Sequence, residues 1–195
     1  DLARFVRDRA GYYGLPFETA RVELGENASE VLARTERYKF LQSCRKKYNA
    51  SAIITAHHLD DMIETALFNL QRGTGWRGLA SLDSGGDILR PLLSKTKRDL
   101  LDHAHKHSLD WSEDSTNNNT NYARNRIRHT LIPQISARDP RVKDKLHTVI
   151  NSTKKLKVDI NREIISLVAP TKLTDDIFVV SRYKLIMWPR SVSLE

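Results

Sequence analysis

The sequence predicts an α/β domain built on a parallel sheet, followed by a mostly helical extension. Between residues 1 and 112, short apolar runs rich in β-branched residues alternate with segments whose apolar residues recur at helical spacing. This alternation is typical of parallel sheets with crossover helices. From residue 139 to Pro170, apolar residues recur at three- and four-residue intervals, which predicts one long amphipathic helix. We therefore assign residues 1–135 to the α/β domain and residues 136–195 to the helical region.

Four elements are predicted in the first part of the chain. Helical spacing predicts a helix over residues 1–13, and an alternating pattern predicts a strand over residues 17–24. Asn27 is followed three positions later by an acidic residue, which is the pattern of a helix cap. That helix is expected to run to about Tyr48. The apolar run at 52–56 is bounded by polar residues, and it predicts a buried parallel strand.

The rest of the α/β region adds two helices and one short strand. Helical spacing predicts helices over residues 59–71 and 96–107, and Ile88 with Leu89 predicts a short strand between them. Residues 112–121 are polar and rich in asparagine, which predicts a loop. Few strands precede this loop, so the predicted doubly wound sheet is incomplete.

Composition excludes several classes of protein. The 195 residues include 32 Lys and Arg against 24 Asp and Glu, a formal net charge of +8, and this excess suits a phosphate-rich partner. No apolar run approaches the ~20 residues that span a bilayer, so no membrane partner is expected. The single cysteine, Cys44, excludes a CxxC redox or zinc motif. We therefore expect a soluble cytoplasmic protein.

The densest group of titratable side chains lies where the predicted strand at 52–56 ends and the next helix begins. It comprises His57, His58, Asp60, Asp61 and Glu64, and open α/β sheets bind ligands at the carboxyl ends of their strands. Asp61 and Glu64 are three residues apart and share a helix face, where they could hold a metal ion or an ammonium group. Alternatively, Asp60 and Asp61 only complement the helix dipole in the first turn.

A second group combines an acidic and polar loop at 113–117 with the arginines at 124, 126 and 128. Arg124 and Arg128 are one turn apart on a predicted helix, whereas Arg126 points elsewhere. Arginine suits bidentate contacts with phosphate, so the pair could bind RNA phosphates or a pyrophosphate leaving group. The alternative is a solvated charged face.

Two other patterns are expected to have no role in binding. Residues 84–87 resemble part of a phosphate-binding glycine loop, but they follow no strand and precede no helix, so they predict a surface turn. His103, His105 and His107 alternate along a predicted helix. They are therefore expected to face different directions and to be poor joint ligands. No set of metal ligands is predicted.

Several motifs, in this order along the chain, resemble those of the tRNA(Ile)-lysidine synthetase family of N-type ATP pyrophosphatases. The motifs are Gly14-Leu15-Pro16, Arg37-Tyr38-Lys39-Phe40-Leu41, Thr55-Ala56-His57-His58-Leu59-Asp60-Asp61-Met62-Ile63-Glu64-Thr65, Arg72-Gly73-Thr74-Gly75, Gly78-Leu79, Arg90-Pro91-Leu92-Leu93, Glu113-Asp114 and Arg124-Asn125-Arg126-Ile127-Arg128. The resemblance covers residues 1–135 closely. It implies an adenine nucleotide alpha hydrolase-like fold, with residues 136–195 as a helical linker and the start of a tRNA-contacting region.

The resemblance also implies an activity. Enzymes of this family use ATP to adenylate the wobble cytidine of a tRNA(Ile) with a CAU anticodon. The amine of lysine then attacks, so that lysidine forms and AMP and pyrophosphate are released. The implied cofactors are ATP and Mg²⁺, and the implied partners are tRNA(Ile) and lysine. Magnesium and positive charge stabilise the triphosphate, while carboxylates receive the lysine ammonium group.

Specific roles follow from the same resemblance. The implied catalytic residues are Asp61, Glu64 and Arg124. The implied substrate-binding residues are His57, Asp60, Asp114, Asn117, Arg128 and Arg37. Asp61 and Glu64 would receive the substrate amine, and Arg124 and Arg128 would contact phosphate. Asp114 and Asn117 would order the loop over the site. Arg37 would reach phosphate or form a salt bridge within its helix.

One departure from the family pattern limits these expectations. Family members begin with a strand and a Ser-Gly-Gly-x-Asp-Ser loop, and neither occurs here. The chain is therefore expected to be a fragment. By itself it is not expected to hydrolyse ATP or to transfer a group from it. A sheet without its central strands exposes an unpaired edge, so we also expect a homodimer. Three alternative functions remain: a tRNA thiolation enzyme of the same superfamily, a metal-dependent phosphohydrolase and a non-catalytic RNA-binding module.

Overall fold

The structure is a computed structural model that describes residues 2–25, 29–112, 123–168, 171–172, 174 and 177–183. Its first part contains helices α1 (Leu2–Tyr12) and α2 (Glu30–Lys47), strand β1 (Ile53–Ile54), helices α3 (Leu59–Gln71) and α4 (Gly75–Leu79), strand β2 (Ile88–Leu89) and helix α5 (Lys97–Lys106). Its second part contains α6 (Ala123–Arg126), a π-helical turn (Ile127–Leu131), α7 (Ile132–Arg138), α8 (Val142–Val168), and strands β3 (Thr171–Lys172) and β4 (Phe178–Val179).

The chain forms two compact units. One unit comprises residues 1–64 and 82–134, and the other comprises residues 65–81 and 135–195. The chain therefore passes between the units three times, once within α3, once between α4 and β2, and once within α7. The division into domains at residue 135 stays a prediction.

The sheet of the first unit is parallel, as predicted. Strand β1 pairs with β2 so that Ile53 lies opposite Ile88 and Ile54 opposite Leu89. Ile53 is buried at 7% exposure, but Ile54 is 69% exposed. The prediction of a buried strand is therefore wrong for Ile54. The physical reason is that a strand is buried on both faces only where elements cover both, and no described element covers the Ile54 side chain.

The segment before α2 differs from its prediction. Residues 17–24 form no strand, because a strand needs a partner for its ladder hydrogen bonds and no described strand lies beside them. Helix α2 is confirmed, but its cap is Ser29, whose side chain accepts a hydrogen bond from the Leu32 N–H. The predicted cap, Asn27, lies outside the described residues.

Helix α3 supplies the centre of the first core. It forms where helical spacing predicted it, and its Met62 and Ile63 are each 1% exposed. Ile127, in the π-helical turn, is also 1% exposed. Because burying such side chains stabilises a fold by about 1.5–3 kcal/mol each, this packing fixes the helix that carries most of the predicted acidic residues.

The second unit is organised around α8, a helix of 27 residues that confirms the predicted long helix. Helix α4 packs against it, and the Arg77 guanidinium donates to Asn161 Oδ1 at 3.1 Å. Ile150 of α8 is fully buried. Strands β3 and β4 form an antiparallel pair. No helix within the described ranges is both long and apolar enough to cross a membrane.

Candidate functional site

The first turn of α3 is closed by a reciprocal cap between His58 and Asp61. The His58 N–H donates to Asp61 Oδ2 at 2.9 Å, and the Asp61 N–H donates to His58 Nδ1 at 3.4 Å. A helix begins with unpaired N–H groups, and such side-chain acceptors satisfy them. One oxygen of Asp61 therefore has a capping role, and its other oxygen, Oδ1, takes no part in this cap.

Glu64 lies one turn further along α3 and is paired with Arg128. The Arg128 guanidinium donates from Nε to Glu64 Oε1 at 2.7 Å and from Nη2 to Glu64 Oε2 at 2.9 Å. Nη2 also lies 3.4 Å from Asp61 Oδ1. The Glu64 side chain is only 5% exposed. Burial raises the pKa of Glu64 above its ordinary value, and the hydrogen bonds from Arg128 oppose that rise. The pair is thus a bidentate, nearly buried ion pair.

Arg128 reaches the carboxylates from a π-helical turn. The turn spans Ile127–Leu131, and π-helical turns are rare and frequently occur at functional sites. Sequence reasoning placed Arg124 and Arg128 together on one face of an ordinary helix. A π-helix has more residues per turn, so this four-residue spacing no longer applies. The contact between Arg128 and Glu64 was not predicted. Its only signal in the sequence was weak, namely two acids three residues apart and a separate arginine-rich segment.

His57 lies at the carboxyl end of β1, next to these carboxylates in the chain. Its Nδ1 atom is 2.8 Å from Thr55 Oγ1. Burial lowers the pKa of His57, and the positive charges of Arg90, Arg34 and Arg124 lower it further, while Asp61 opposes the shift. The imidazole is therefore neutral at neutral pH. Three guanidinium groups thus act electrostatically on one histidine at this strand end, with Asp61 acting in the opposite direction.

Arg90 is a functional candidate that sequence reasoning missed. It directly follows β2 and is 9% exposed. Its Nη1 atom donates to the Asp83 carbonyl oxygen, and its Nη2 atom donates to Tyr38 Oη at 3.3 Å. Its Nε atom is buried without a hydrogen-bond partner among the described residues. Because buried arginines are rare, Arg90 is a candidate for a functional role. The sequence signal for it was the position of Arg90 directly after a strand.

Comparison with known proteins identifies the family. The sequence profile of the PP-loop domain matches residues 1–135. The chain belongs to the PP-loop domain family. The predicted adenine nucleotide alpha hydrolase-like fold is thereby confirmed. A solved U34-tRNA thiolase from Methanococcus maripaludis, which contains a [4Fe-4S] cluster, shares this fold at a TM-score of 0.60 and 13% identity, over 80% of this chain and 56% of that one.

Several curated relatives of this PP-loop domain are named tRNA(Ile)-lysidine synthase. The Thermotoga maritima protein is 33% identical over 168 residues, which are 82% of this chain and 40% of that protein. The Neisseria gonorrhoeae protein is 34% identical over 166 residues, 82% of this chain and 36% of that protein. The Pseudomonas aeruginosa protein is 37% identical over 133 residues, which are 65% of this chain and 30% of that protein. The chain thus spans about two fifths or less of these relatives' length.

The other predicted site residues of the PP-loop domain make different contacts or lie outside the described ranges. Asp60 Oδ2 accepts the Lys97 N–H at 2.7 Å, so its carboxylate joins α3 to the start of α5. Arg37 is exposed on α2. Asp114 and Asn117 lie outside the described residues. Among the residues that the structure describes, no three histidine, cysteine or acidic side chains come close enough together to hold a metal ion.

Proposed function

We propose that this PP-loop domain belongs to an enzyme that uses ATP to join lysine to the wobble cytidine of tRNA(Ile), forming lysidine. The observation that carries the proposal is the carboxylate pair Asp61 and Glu64, which binds a cationic side chain next to the carboxyl end of β1. A lysine ammonium group is a cation of the same charge. The names of the relatives agree with this chemistry.

Asp61 is the carboxylate that we expect to receive the lysine ammonium. Arg128 approaches Asp61 only to 3.4 Å, which is longer than its two bonds to Glu64 and longer than a strong charge-assisted hydrogen bond. The Asp61 side chain is also 22% exposed, compared with 5% for Glu64. An ammonium group can therefore bind Asp61 while the buried pair stays intact, whereas displacing Arg128 from Glu64 would leave a buried charge unpaired.

The guanidinium groups that act on His57 are proposed to bind the phosphates. Arg34, Arg90 and Arg124 all act electrostatically on His57, and Arg34 also lies over the Tyr38 ring, 4.9 Å from its centroid. These cations fit the charge of a nucleotide triphosphate. ATP, when bound, supplies the adenylyl group that turns the cytidine oxygen into a leaving group. Mg²⁺ is proposed to enter with the phosphates, because it binds proteins largely through substrate phosphates and water.

The remaining roles are proposed by family resemblance. Arg124 would stabilise charge on the reacting phosphate, and His57 and Asp60 would bound the pocket. Asp114 and Asn117 would order the loop over the site, and Arg37 would contact phosphate. The partners would be tRNA(Ile) and lysine, in the cytoplasm. The edge of β1 that pairs with no strand among the described residues would support a homodimer.

The test is lysine-dependent formation of lysidine by the full-length protein. Asp61→Asn should raise the KM for lysine about thirty-fold or more, because loss of one partner of a charge pair at a binding site costs about 2 kcal/mol or more. A matched control is Asp102→Asn, which removes an exposed carboxylate of α5 and should change nothing. An unchanged KM in the Asp61 variant would contradict the proposed role.

The same assay separates the alternatives. Turnover that needs tRNA but no lysine would contradict lysidine formation and favour a different modification. RNA binding without turnover, with a steep dependence on salt, would favour the RNA-binding module. At 13% identity, the thiolase shares the fold and gives no support for a shared function. For sulfur chemistry this sequence offers a single cysteine, Cys44.

A further inference from the structure

Two histidines at the end of α5 form a contact that the sequence analysis did not expect. The rings of His103 and His107 have centroids 4.3 Å apart and planes inclined by 39°. The expectation that these histidines face different directions is wrong for this pair, because residues four apart on a helix lie on the same face. His105 does point elsewhere, since its ring meets Trp111 edge-on at 4.9 Å.

The backbone that carries the pair is held at both ends of the helix. At the start of α5, Thr96 and Asp99 form a capping box. At its end, the His107 N–H donates to the His103 carbonyl oxygen at 3.1 Å, and the Leu109 N–H donates to the Ala104 carbonyl oxygen at 2.9 Å. Hydrogen bonds of this kind close a helix firmly. These hydrogen bonds fix the Cα positions of the two histidines, and both imidazoles are exposed.

The spacing of the rings suits a shared metal ion. Imidazole nitrogen is a preferred ligand of Zn²⁺, Cu²⁺, Ni²⁺ and Co²⁺. Two imidazoles that each bind one ion at ~2.1 Å with a roughly tetrahedral angle have ring centroids about 5 Å apart. The observed centroid separation of 4.3 Å is close to that value. A cation is also favoured at the carboxyl end of a helix, where the dipole is negative.

We propose that His103 and His107 form a two-nitrogen binding site for a divalent transition-metal ion, with water completing the coordination. The site needs neither lysine nor nucleotide. Its two histidines lie six and ten residues along α5 from Lys97, whose N–H contacts Asp60, which is about 9 to 15 Å along the helix axis. The proposal therefore stands independently of the proposed function.

The experiment is a titration of the full chain with Ni²⁺, followed by the ring signals of all the histidines in NMR spectra. Paramagnetic broadening should begin at His103 and His107 and reverse with EDTA. Calorimetry with Zn²⁺ should give one saturable site, and its affinity should fall about ten-fold or more in His103→Gln and in His107→Gln.

The matched control is His105→Gln, which removes an exposed imidazole from the same helix and should leave the affinity unchanged. Circular dichroism checks that each variant keeps its helix content, and only folded variants are compared. The proposal is overturned if broadening begins at His57 and His58, if the two pair variants bind Zn²⁺ as tightly as the unmodified chain, or if His105→Gln weakens binding equally.

Discussion

Replacing Arg128 by methionine isolates the energetic contribution of the ion pair with Glu64. Arg128 gives Glu64 two hydrogen bonds, at 2.7 and 2.9 Å, and a hydrogen bond to a charged group contributes about 1.5–3 kcal/mol. The Arg128 side chain is 32% exposed, so the lower value applies to each. The free energy of unfolding should therefore fall by about 3 kcal/mol near neutral pH, as expected when one partner of a buried pair is removed.

The loss should depend on pH in a defined direction. Burial already raises the pKa of Glu64, and Arg128→Met removes hydrogen-bonding and coulombic interactions that lower it. A carboxyl group with a higher pKa in the folded state contributes stability that is fully present below its unfolded pKa and is lost as the pH rises through its folded pKa. The difference between the variant and the unmodified chain should therefore be largest near neutral pH and shrink on acidification.

The assay is urea denaturation followed by circular dichroism, near neutral pH and at about pH 5, with all chains at one concentration. Arg126→Met is the matched control, because Arg126 is exposed and an exposed substitution usually changes stability by less than about 0.5 kcal/mol. The double variant Glu64→Gln with Arg128→Met should recover much of the loss, since the buried carboxylate is gone. The reasoning is refuted if Arg128→Met costs no more than Arg126→Met, or if its cost does not change with pH.

Two further predictions concern packing and association. Gly78→Ala should lower the free energy of unfolding by about 1–3 kcal/mol, because its Cβ would clash with Thr74 Oγ1. Thermal denaturation should show no such loss in Gly85→Ala, where a Cβ meets nothing within 4 Å, and equal stability of the two variants would contradict the packing argument. Ile54→Lys should weaken self-association in sedimentation experiments, because a charged side chain at an exposed edge opposes strand pairing. Leu15→Lys, at a similarly exposed position, should not, and identical sedimentation of both variants would disprove association through β1.

The sequence was sufficient for elements whose pattern is local. The apolar runs that became β1 and β2, and the spacing that became α3 and α8, were predicted because strand and helix periodicity need no knowledge of distant residues. The parallel pairing followed from the helix between the strands. Residues 17–24 show the limit of this reasoning, since alternation indicates a strand but cannot supply a partner.

The candidate site was predictable in its location and less so in its contacts. The position of Asp61 and Glu64 at the end of β1 followed from the rule on strand ends. Their contact with Arg128 did not follow from this rule, because the direction of the Arg128 side chain depends on a π-helical turn that no local pattern indicated. Arg90 was also missed, because nothing in its immediate sequence shows that the chain buries it.

The three acids at the start of α3 are attached to three different parts of the first unit, which affects how mutational screens of this protein are interpreted. Asp61 closes its own helix, Glu64 binds the π-helical turn and Asp60 holds the first N–H of α5. A screen that records only product yield would group all three as chemically essential. Amide hydrogen exchange across α5 distinguishes them. Of the three variants, only the loss of Asp60 should speed exchange in the first turn of that helix.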